Sequence, residues 1–281
     1  MAFDVPVLFI GFNKISTTQR VLNSLDKYNI RNIYFSIDGP RNSQEAATVK
    51  QVETSVRSFR HFSTDKVNIE LTNLGCRAHV IKAITNFFRE EEFGIILEDD
   101  TLPSRQFFSF CDVLLKRYRD NGSIWHIGGY KPPEIPTTAF AYTYTKATHV
   151  WGWATWSNRW SQYVENFTAD EIKSFADYTY FDSKWKSKKR IKQLMAVHKG
   201  KIDTWDFNWN ATVRVNNGLA IRPDTNLVQN IGLGDPNATN TKKSRKTYEG
   251  IIAQDIDLKD FLAPPIKLPM RKLEKIFESK I

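Results

Sequence analysis

Short apolar runs alternate with helix-spaced segments through the first hundred residues. The apolar runs have the length of strands and are Pro6–Phe12, Ile33–Ile37, Val67–Leu71 and Phe93–Leu97. The segments between them carry apolar residues at helical spacing and are Thr17–Tyr28, Glu45–Phe59 and Arg77–Glu91. This alternation predicts an α/β fold in which helices cover both faces of a mostly parallel sheet.

Polar residues follow each of the four predicted strands. They are Asn13-Lys14, Asp38-Gly39, Asn73-Leu74-Gly75 and Glu98-Asp99-Asp100. Because ligands bind at the carboxyl ends of strands in such sheets, these clusters should meet along one edge. The chain has neither the GxGxxG nor the GxxxxGKS/T pattern that cradles phosphate. An acidic cluster at a strand end therefore indicates a divalent metal as the partner of any phosphate group.

The cluster Glu98-Asp99-Asp100 is the sharpest local motif. Three adjacent carboxylates repel one another unless a cation or hydrogen-bond donors hold them, and hard oxygen ligands suit magnesium or manganese. The alternative is a helix N-terminus, with acidic residues favoured by the helix dipole and with Pro103 starting the helix. The two interpretations are compatible with each other.

A second carboxylate, Asp206, lies between two tryptophans in the segment Trp205–Trp209. Apolar walls raise the proton affinity of a carboxyl group, which suits a general base. The alternative is a helix whose Trp205 and Trp209 share a buried face and whose Asp206 lies in solvent. Asp203 is close by in sequence and is the competing candidate for the base.

Tryptophans are concentrated in the second half of the chain. Four of the 8 tryptophans lie between Trp151 and Trp160, where they could stack on a sugar or a base or could equally belong to the core. His79 and His126 are isolated histidines near the predicted edge. Each of them alone is more typical of a structural residue than of a ligand.

The net charge of +9 also comes from the second half, since residues 1–100 carry 12 basic and 13 acidic side chains. The segment Lys184–Lys201 has eight lysines and arginines and no acidic residue. Such a run is usually a solvated helix face and less often attracts phosphate or lipid headgroups. The charge and the aromatic residues also fit single-stranded nucleic-acid binding, but passive binding does not need a carboxylate triad. We therefore expect no nucleic-acid partner.

Several protein classes are excluded by the composition. The two cysteines cannot form a disulfide framework or a cysteine-rich zinc site, although one disulfide remains possible. No apolar run reaches the roughly 18–20 residues that span a bilayer, and the run Val5–Phe12 resembles a strand rather than a signal peptide. We therefore expect a cytoplasmic protein with reduced thiols. Its predicted organisation is residues 1–125 and 126–250 as two halves of one domain, followed by a tail at 251–281.

The end of the chain carries a possible membrane contact. After Pro264-Pro265, the tail Ile266–Ile281 places apolar residues on one helix face, with lysines and an arginine flanking it. Such a helix can lie at the inner face of the plasma membrane, where anionic lipids attract basic residues. The alternative is that its apolar face packs on the rest of the domain.

Seven segments in order resemble the GT-A glycosyltransferases, and most of all the bacterial nucleotide-diphospho-sugar transferases of surface polysaccharide synthesis. These enzymes are distant relatives of the N-acetylglucosaminyltransferase I family. The resemblance covers roughly residues 5–241, and its segments are PVLFIGFNK, SIDGPRN, NLGCR, IILEDDTLPSRQFF, HVWGWATW, GKIDTWDFNW and NLVQNIGLG. One departure is that Asn240 stands in the loop Asn237–Thr241, where many bacterial members carry a histidine.

The resemblance implies a role for individual residues on the donor side. The implied nucleotide-binding residues are Asn13, Lys14, Asp38, His79 and Asp99. Within that set, Asp38 matches the acidic residue that binds uracil and Asp99 matches the residue that contacts ribose. Asp100 matches the metal ligand, usually of Mn2+ and otherwise of Mg2+.

On the acceptor side, Asp206 matches the catalytic base of the inverting relatives. The residues implied to form a wall beside the donor sugar and the acceptor are Glu98, Trp151, Gly152, Trp153 and Trp205. Together these matches imply a metal-dependent inverting transferase of the hexosyl or N-acetylhexosaminyl type. Its donor is a nucleotide-diphospho-sugar, in the first place a UDP-sugar, and its acceptor is a glycan or lipid-linked glycan. The alternative is a binding protein for sugar nucleotides or polysaccharides that has the fold without the activity.

Overall fold

The computed structural model describes residues 3–175, 184–233 and 253. The strands in this part of the chain are β1 (Val7–Gly11), β2 (Ile33–Ile37), β3 (Val67–Ile69), β4 (Phe93–Glu98), β5 (Thr101–Pro103), β6 (Ile124–Gly128), β7 (Tyr142–Thr145), β8 (Trp153–Trp156), β9 (Leu219–Pro223) and β10 (Val228–Asn230). The helices are α1 (Ile15–Lys27), α2 (Ser43–Arg57), α3 (Cys76–Glu90), α4 (Arg105–Arg117), α5 (Ser157–Trp160), α6 (Ala169–Ser174), α7 (Lys184–His198) and α8 (Asp206–Val215).

One sheet of eight strands has the order β3-β2-β1-β4-β8-β6-β9-β7. Its first four strands are parallel, because β1 pairs in parallel with β2 and β4, and β2 pairs in parallel with β3. β8 is antiparallel to both β4 and β6, so that β6 and its parallel neighbour β9 run in the direction of β4. The predicted α/β class is confirmed, and the sheet is Rossmann-like.

Helices cover both faces of this sheet, as the sequence predicts. Val7 and Phe9 of β1 belong to a core shared with α1, α2 and α4, whereas Leu8 and Ile10 belong to a core shared with α3 and α8. Successive side chains of a strand point to opposite faces, so a strand that supplies both cores must be apolar throughout. This requirement explains the continuous apolar runs of the first hundred residues.

Tryptophans form much of the core between the sheet, α3 and α8. Trp153 stacks on Trp205 with ring centroids 5.5 Å apart, and Trp160 contacts Trp209 at 5.3 Å. All four rings are buried. The interpretation of the tryptophan-rich segment as part of the core is therefore confirmed for Trp153 and Trp160. Their contacts with Trp205 and Trp209 pack β8 and α5 against the start of α8.

A short ribbon of β5 and β10 follows the acidic turn after β4. The two strands are antiparallel, with Asn230 opposite Thr101, and the Ile231 N–H donates to the Asp100 carbonyl at 2.8 Å. α4 begins only at Arg105, beyond β5. The alternative in which Pro103 starts a helix capped by the acidic residues is therefore wrong, because these residues lie in a turn between two strands.

Both predicted halves of the chain contribute to the same sheet, and the boundary expected after residue 125 falls inside β6. The basic segment predicted at Lys184–Lys201 forms α7. The loop Asn237–Thr241 and the tail Ile266–Ile281 lie outside the described residues. None of the helices in the described ranges combines the length and the apolar character needed to cross a bilayer.

Candidate active site

Lys14 joins the carboxyl ends of β1 and β4. Its Nζ lies 2.6 Å from Asp100 Oδ2 and 3.6 Å from Asp99 Oδ1, and the backbone N–H of Phe12 donates to Asp99 Oδ2 at 3.1 Å. Burial of Lys14 opposes its charge, but Asp99 and Asp100 outweigh that effect and raise the pKa of the ammonium group. The site therefore contains a permanent cation between two buried aspartates.

The negative charge after β4 is larger than Lys14 alone can balance. Burial and the neighbouring Asp100 raise the pKa of Glu98 to about 8, and burial is also the main cause that raises the pKa of Asp99 to about 6. Removal from water disfavours the ionised form of a carboxyl group, and a second negative charge nearby disfavours it further. This turn is consequently a place where an added cation is favoured.

The carboxylates after β4 fit a metal site whose coordination is completed by water and substrate. They do not fit a site built from protein ligands alone. Within residues 3–175 and 184–233, no three side chains of the His, Cys, Asp or Glu type are placed to hold one ion between them. At the end of β4, Asp99 and Asp100 are two adjacent carboxylates that both pair with Lys14. Magnesium and manganese are often held by one or two carboxylates, with water and substrate phosphate completing the coordination. The residues fit a metal of that kind and do not form an all-protein cage.

Asp38 fixes the loop that leads into α3. Its Oδ1 accepts the backbone N–H groups of Gly39 and Leu74, and its Oδ2 accepts the Asn73 side-chain amide, each at 2.9 Å. Gly39 leaves no room for a side chain, because a Cβ there would collide with the backbone of Thr72. The predicted convergence of the polar clusters after β2 and β3 is therefore present.

His79 lies behind this loop on α3. Its Nε2 is 3.0 Å from the Ser36 hydroxyl, and the ring is buried. Burial lowers the pKa of His79, and nearby Asp38 only partly opposes that effect. The residue is thus a neutral hydrogen-bonding group close to Asp38.

The other predicted donor-side residue, Asn13, donates its amide to Glu45 Oε1 at 3.3 Å. Glu45 also pairs with Arg41, whose guanidinium lies 5.3 Å from the centre of the Phe12 ring. Sequence analysis did not single out Arg41 or Glu45, although Arg41 follows the turn residues Asp38-Gly39-Pro40. The available signal was their spacing of four residues, which lets Arg41, just before α2, reach Glu45 in the first turn of that helix.

Asp206 is the first residue of α8 and is partly buried rather than in solvent. The Thr204 hydroxyl donates to its Oδ1. Burial raises the pKa of Asp206, while Thr204 and the charge of Arg190 partly offset that rise. Glu98 lies within electrostatic reach of both Asp206 and Asp100. The two acidic groups predicted from the sequence therefore both act on Glu98, the last residue of β4.

Asp203, the competing candidate for the base, has a different place. Its Oδ2 accepts the Cys76 N–H at 3.0 Å and its Oδ1 accepts the Arg77 N–H at 3.2 Å. These are the first two residues of α3, whose N-terminal N–H groups have no partner within the helix. Asp203 thus caps α3, and Asp206 is the better placed of the two carboxylates for chemistry.

The predicted wall residues divide into two groups. Trp153 and Trp205 are buried in the core, with 0% and 3% of their surface exposed, and their rings stack on each other instead of forming an exposed wall. Trp151 is partly exposed and lies edge-on to Tyr130 at 4.7 Å. Gly152 has φ +60°, and a Cβ there would meet the Val228 side chain, so this bend requires glycine.

No protein-family model matches this chain, and no curated protein matches it. The chemistry of the site has to be inferred from its own side chains. On one side, Lys14 and the aspartates after β4 form a charged cluster that favours an added cation. On the other, Asp206 is a carboxylate with raised proton affinity. This arrangement suits a reaction in which an anionic molecule held with a metal meets a hydroxyl group that must lose its proton.

Proposed function

We propose that this protein is a metal-dependent inverting glycosyltransferase with a GT-A fold. It transfers a hexosyl or N-acetylhexosaminyl group from a UDP-sugar to a hydroxyl of a glycan or lipid-linked glycan in surface polysaccharide synthesis. The observation that carries the proposal is that Asp206 lies within electrostatic range of Glu98, whose neighbours Asp99 and Asp100 form a charged cluster with Lys14. The order of the sequence motifs supports it independently.

The nucleoside is proposed to lie against the loop after β2. Asp38 and the neutral His79 offer hydrogen-bonding groups, and the Asp38 carboxylate is already oriented by three donors. A carboxylate can accept a hydrogen bond from the N–H of a uracil ring. The diphosphate then extends toward Lys14 and the end of β4.

Asp100, with Asp99 beside it, would hold the Mn2+ or Mg2+ ion. When bound, such an ion supplies positive charge to the diphosphate and so stabilises the leaving group. Lys14 keeps the two aspartates in place and remains charged throughout. The protein therefore provides the ligands and the counter-charge before any substrate arrives.

Asp206 is proposed to act as the general base. Its carboxylate accepts the proton of the acceptor hydroxyl while that oxygen forms a bond to the anomeric carbon. The bond between the anomeric carbon and the phosphate oxygen breaks, and its electron pair leaves with the nucleoside diphosphate. A single displacement inverts the configuration, and positive charge develops on the sugar as in glycoside hydrolysis.

Thermal unfolding tests the donor site directly. UDP with manganese should raise the melting temperature by several degrees, because a ligand at 100 times its Kd stabilises a protein by about 2.7 kcal/mol. Asp100→Ala should remove the part of this shift that depends on manganese. Asp112→Ala is the matched control, since Asp112 pairs with Lys116 on α4 and lies outside the site.

The same measurement with a chelator and with other nucleotides separates the possibilities. Equal stabilisation by UDP with and without manganese would contradict a metal-dependent donor site. Stronger stabilisation by another nucleotide would contradict the assignment of Asp38 to uracil. Strong binding of UDP without any transfer of sugar would favour the alternative of a sugar-nucleotide-binding protein.

We further propose that the enzyme contacts the inner face of the plasma membrane through its tail, Ile266–Ile281. Basic residues that flank an apolar helix face are attracted to anionic lipids by about 1 kcal/mol each. The full-length protein should therefore float with anionic vesicles, whereas a protein that ends at Leu262 should not. Equal behaviour of the two proteins would leave the tail without a role in membrane contact.

A further inference from the structure

We propose that Thr204 is a positioning residue for Asp206: its hydroxyl holds one carboxylate oxygen, so that the other oxygen is directed at the acceptor hydroxyl. The inference rests on the proposed role of Asp206 as the base. It assigns a function to a residue that the sequence motifs do not single out.

The Thr204 hydroxyl has a specific and sheltered partner. Thr204 is 7% exposed, and its hydroxyl donates to Asp206 Oδ1. A threonine just before a helix normally bonds to a backbone N–H of the first turn. In the described part of the chain, the hydrogen bond of this hydroxyl goes to the Asp206 side chain, and α8 has no side-chain cap at Trp205. Helix capping therefore does not explain the hydrogen bond that the Thr204 hydroxyl makes.

The residue between the two partners is firmly held. The Trp205 ring stacks on Trp153, and the Trp205 carbonyl accepts both the Tyr163 hydroxyl and the Trp209 N–H at 3.1 Å. Thr204 and Asp206 flank this fixed residue, so their backbones are fixed as well. The orientation of the Asp206 side chain then depends on its own hydrogen bonds, of which the one from the Thr204 hydroxyl is the only one made by a side chain among those that lower its pKa.

The hydrogen bond also affects the charge of Asp206. Burial raises the pKa of Asp206, whereas Thr204, Arg190 and the backbone N–H of Phe207 lower it. The titratable and charged groups that face Asp206 come from four other parts of the fold and are Glu98 on β4, Cys76 on α3, Tyr163 after α5 and Arg190 on α7. Since none of these groups changes when Thr204 is replaced, loss of its hydroxyl should raise the pKa of Asp206 further.

Thr204→Val tests the proposal, because valine keeps the shape and removes the hydroxyl. We expect kcat to fall about tenfold, with the KM for the donor unchanged. The acid limb of the pH–rate profile should move up by about one pH unit, because the free energy of a hydrogen bond to a charged group corresponds to a pKa shift of about that size. Thr204→Ser keeps the hydroxyl, so its kcat and its acid limb should be close to those of the wild type. The control is Thr212→Val on α8, the helix that begins with Asp206. The buried hydroxyl of Thr212 accepts the Val164 N–H at 3.0 Å. This variant should lower stability without moving the acid limb.

The outcomes separate this inference from the proposed function. An unchanged acid limb in Thr204→Val, whether or not kcat falls, would overturn the positioning role while leaving the transferase intact. If the wild type transfers no sugar from any donor, the proposed function fails. In that event the Asp206 carboxyl is titrated by 13C NMR, with its signal identified by comparison with Asp206→Asn. A higher pKa in Thr204→Val than in the wild type would still support control by Thr204, and equal values would refute it.

Discussion

Replacing Asp206 with asparagine should abolish sugar transfer and leave donor binding intact. Asparagine has almost the same shape and still accepts the hydrogen bond from Thr204, but it cannot take a proton from the acceptor. Loss of a general base lowers kcat by about 10²–10⁴-fold. The measurement is kcat with a UDP-sugar and a glycan acceptor, together with the thermal shift produced by UDP and manganese, which should match that of the wild type.

Asp203→Asn is the matched control for this experiment. It removes a carboxylate three residues away, but one that accepts two backbone N–H groups at the start of α3. Loss of such a cap lowers the free energy of unfolding by about 1 kcal/mol. We therefore expect lower stability with kcat retained. Near-normal transfer by Asp206→Asn together with an inactive Asp203→Asn would reverse the two assignments.

The difference between these two aspartates shows where sequence information ends. Both lie near Trp205. The flanking tryptophans and the resemblance favour Asp206, but the sequence does not show which groups either carboxylate contacts. The choice depends on the direction in which the Trp205 ring packs, and that direction is fixed by Trp153, more than fifty residues away. With this ring buried, Asp206 is the first residue of α8, and Asp203 accepts the backbone N–H groups at the start of α3.

The first half of the fold could be predicted because its information is local. The bounds of β2 agree with the apolar run Ile33–Ile37, and α3 begins one residue before the predicted Arg77. Each of these elements has its own period of apolar residues, and the strands between them pair with neighbours in a simple parallel order. The convergence of polar side chains at the strand ends follows from that order.

The second half lacks such local signals. β5 and β10 have three residues each and pair across more than a hundred positions of sequence. β8 is entirely buried but is part of a segment that resembles a ligand-contacting cluster as much as a core. Pairings of this kind are decided by tertiary contacts that no short window of sequence contains.

His126 on β6 should make the protein sensitive to acid. The ring stacks on Trp153 at 5.0 Å and is fully buried. Its Nδ1 is 3.2 Å from Trp209 Nε1, and its Nε2 is 2.9 Å from the His149 carbonyl. The indole nitrogen can only donate, so Nδ1 must accept and the proton must be on Nε2. A second proton on Nδ1 would face the Trp209 N–H, with no acceptor available to it there.

Burial accordingly lowers the pKa of His126 from 6.5 to about 3. In the unfolded chain the same ring takes up a proton near its ordinary pKa, so the unfolded state binds more protons between these two values. Stability is therefore fully present above pH 6.5 and decreases as the pH falls toward 3. The loss due to this residue is roughly 3 kcal/mol between pH 7 and pH 4.

His126→Gln separates this contribution from the rest of the acid response. Glutamine can donate to the His149 carbonyl and accept from Trp209, but it does not titrate. The variant should be less stable than the wild type at pH 7, because glutamine cannot reproduce the stacking on Trp153. From pH 7 to pH 4, however, its free energy of unfolding in urea should fall by roughly 3 kcal/mol less than that of the wild type. If the two proteins lose equal stability over this range, His126 is not the group that titrates on unfolding. A difference of the expected size would place the acid sensitivity in the tryptophan core that holds Trp205, and with it Asp206, in position.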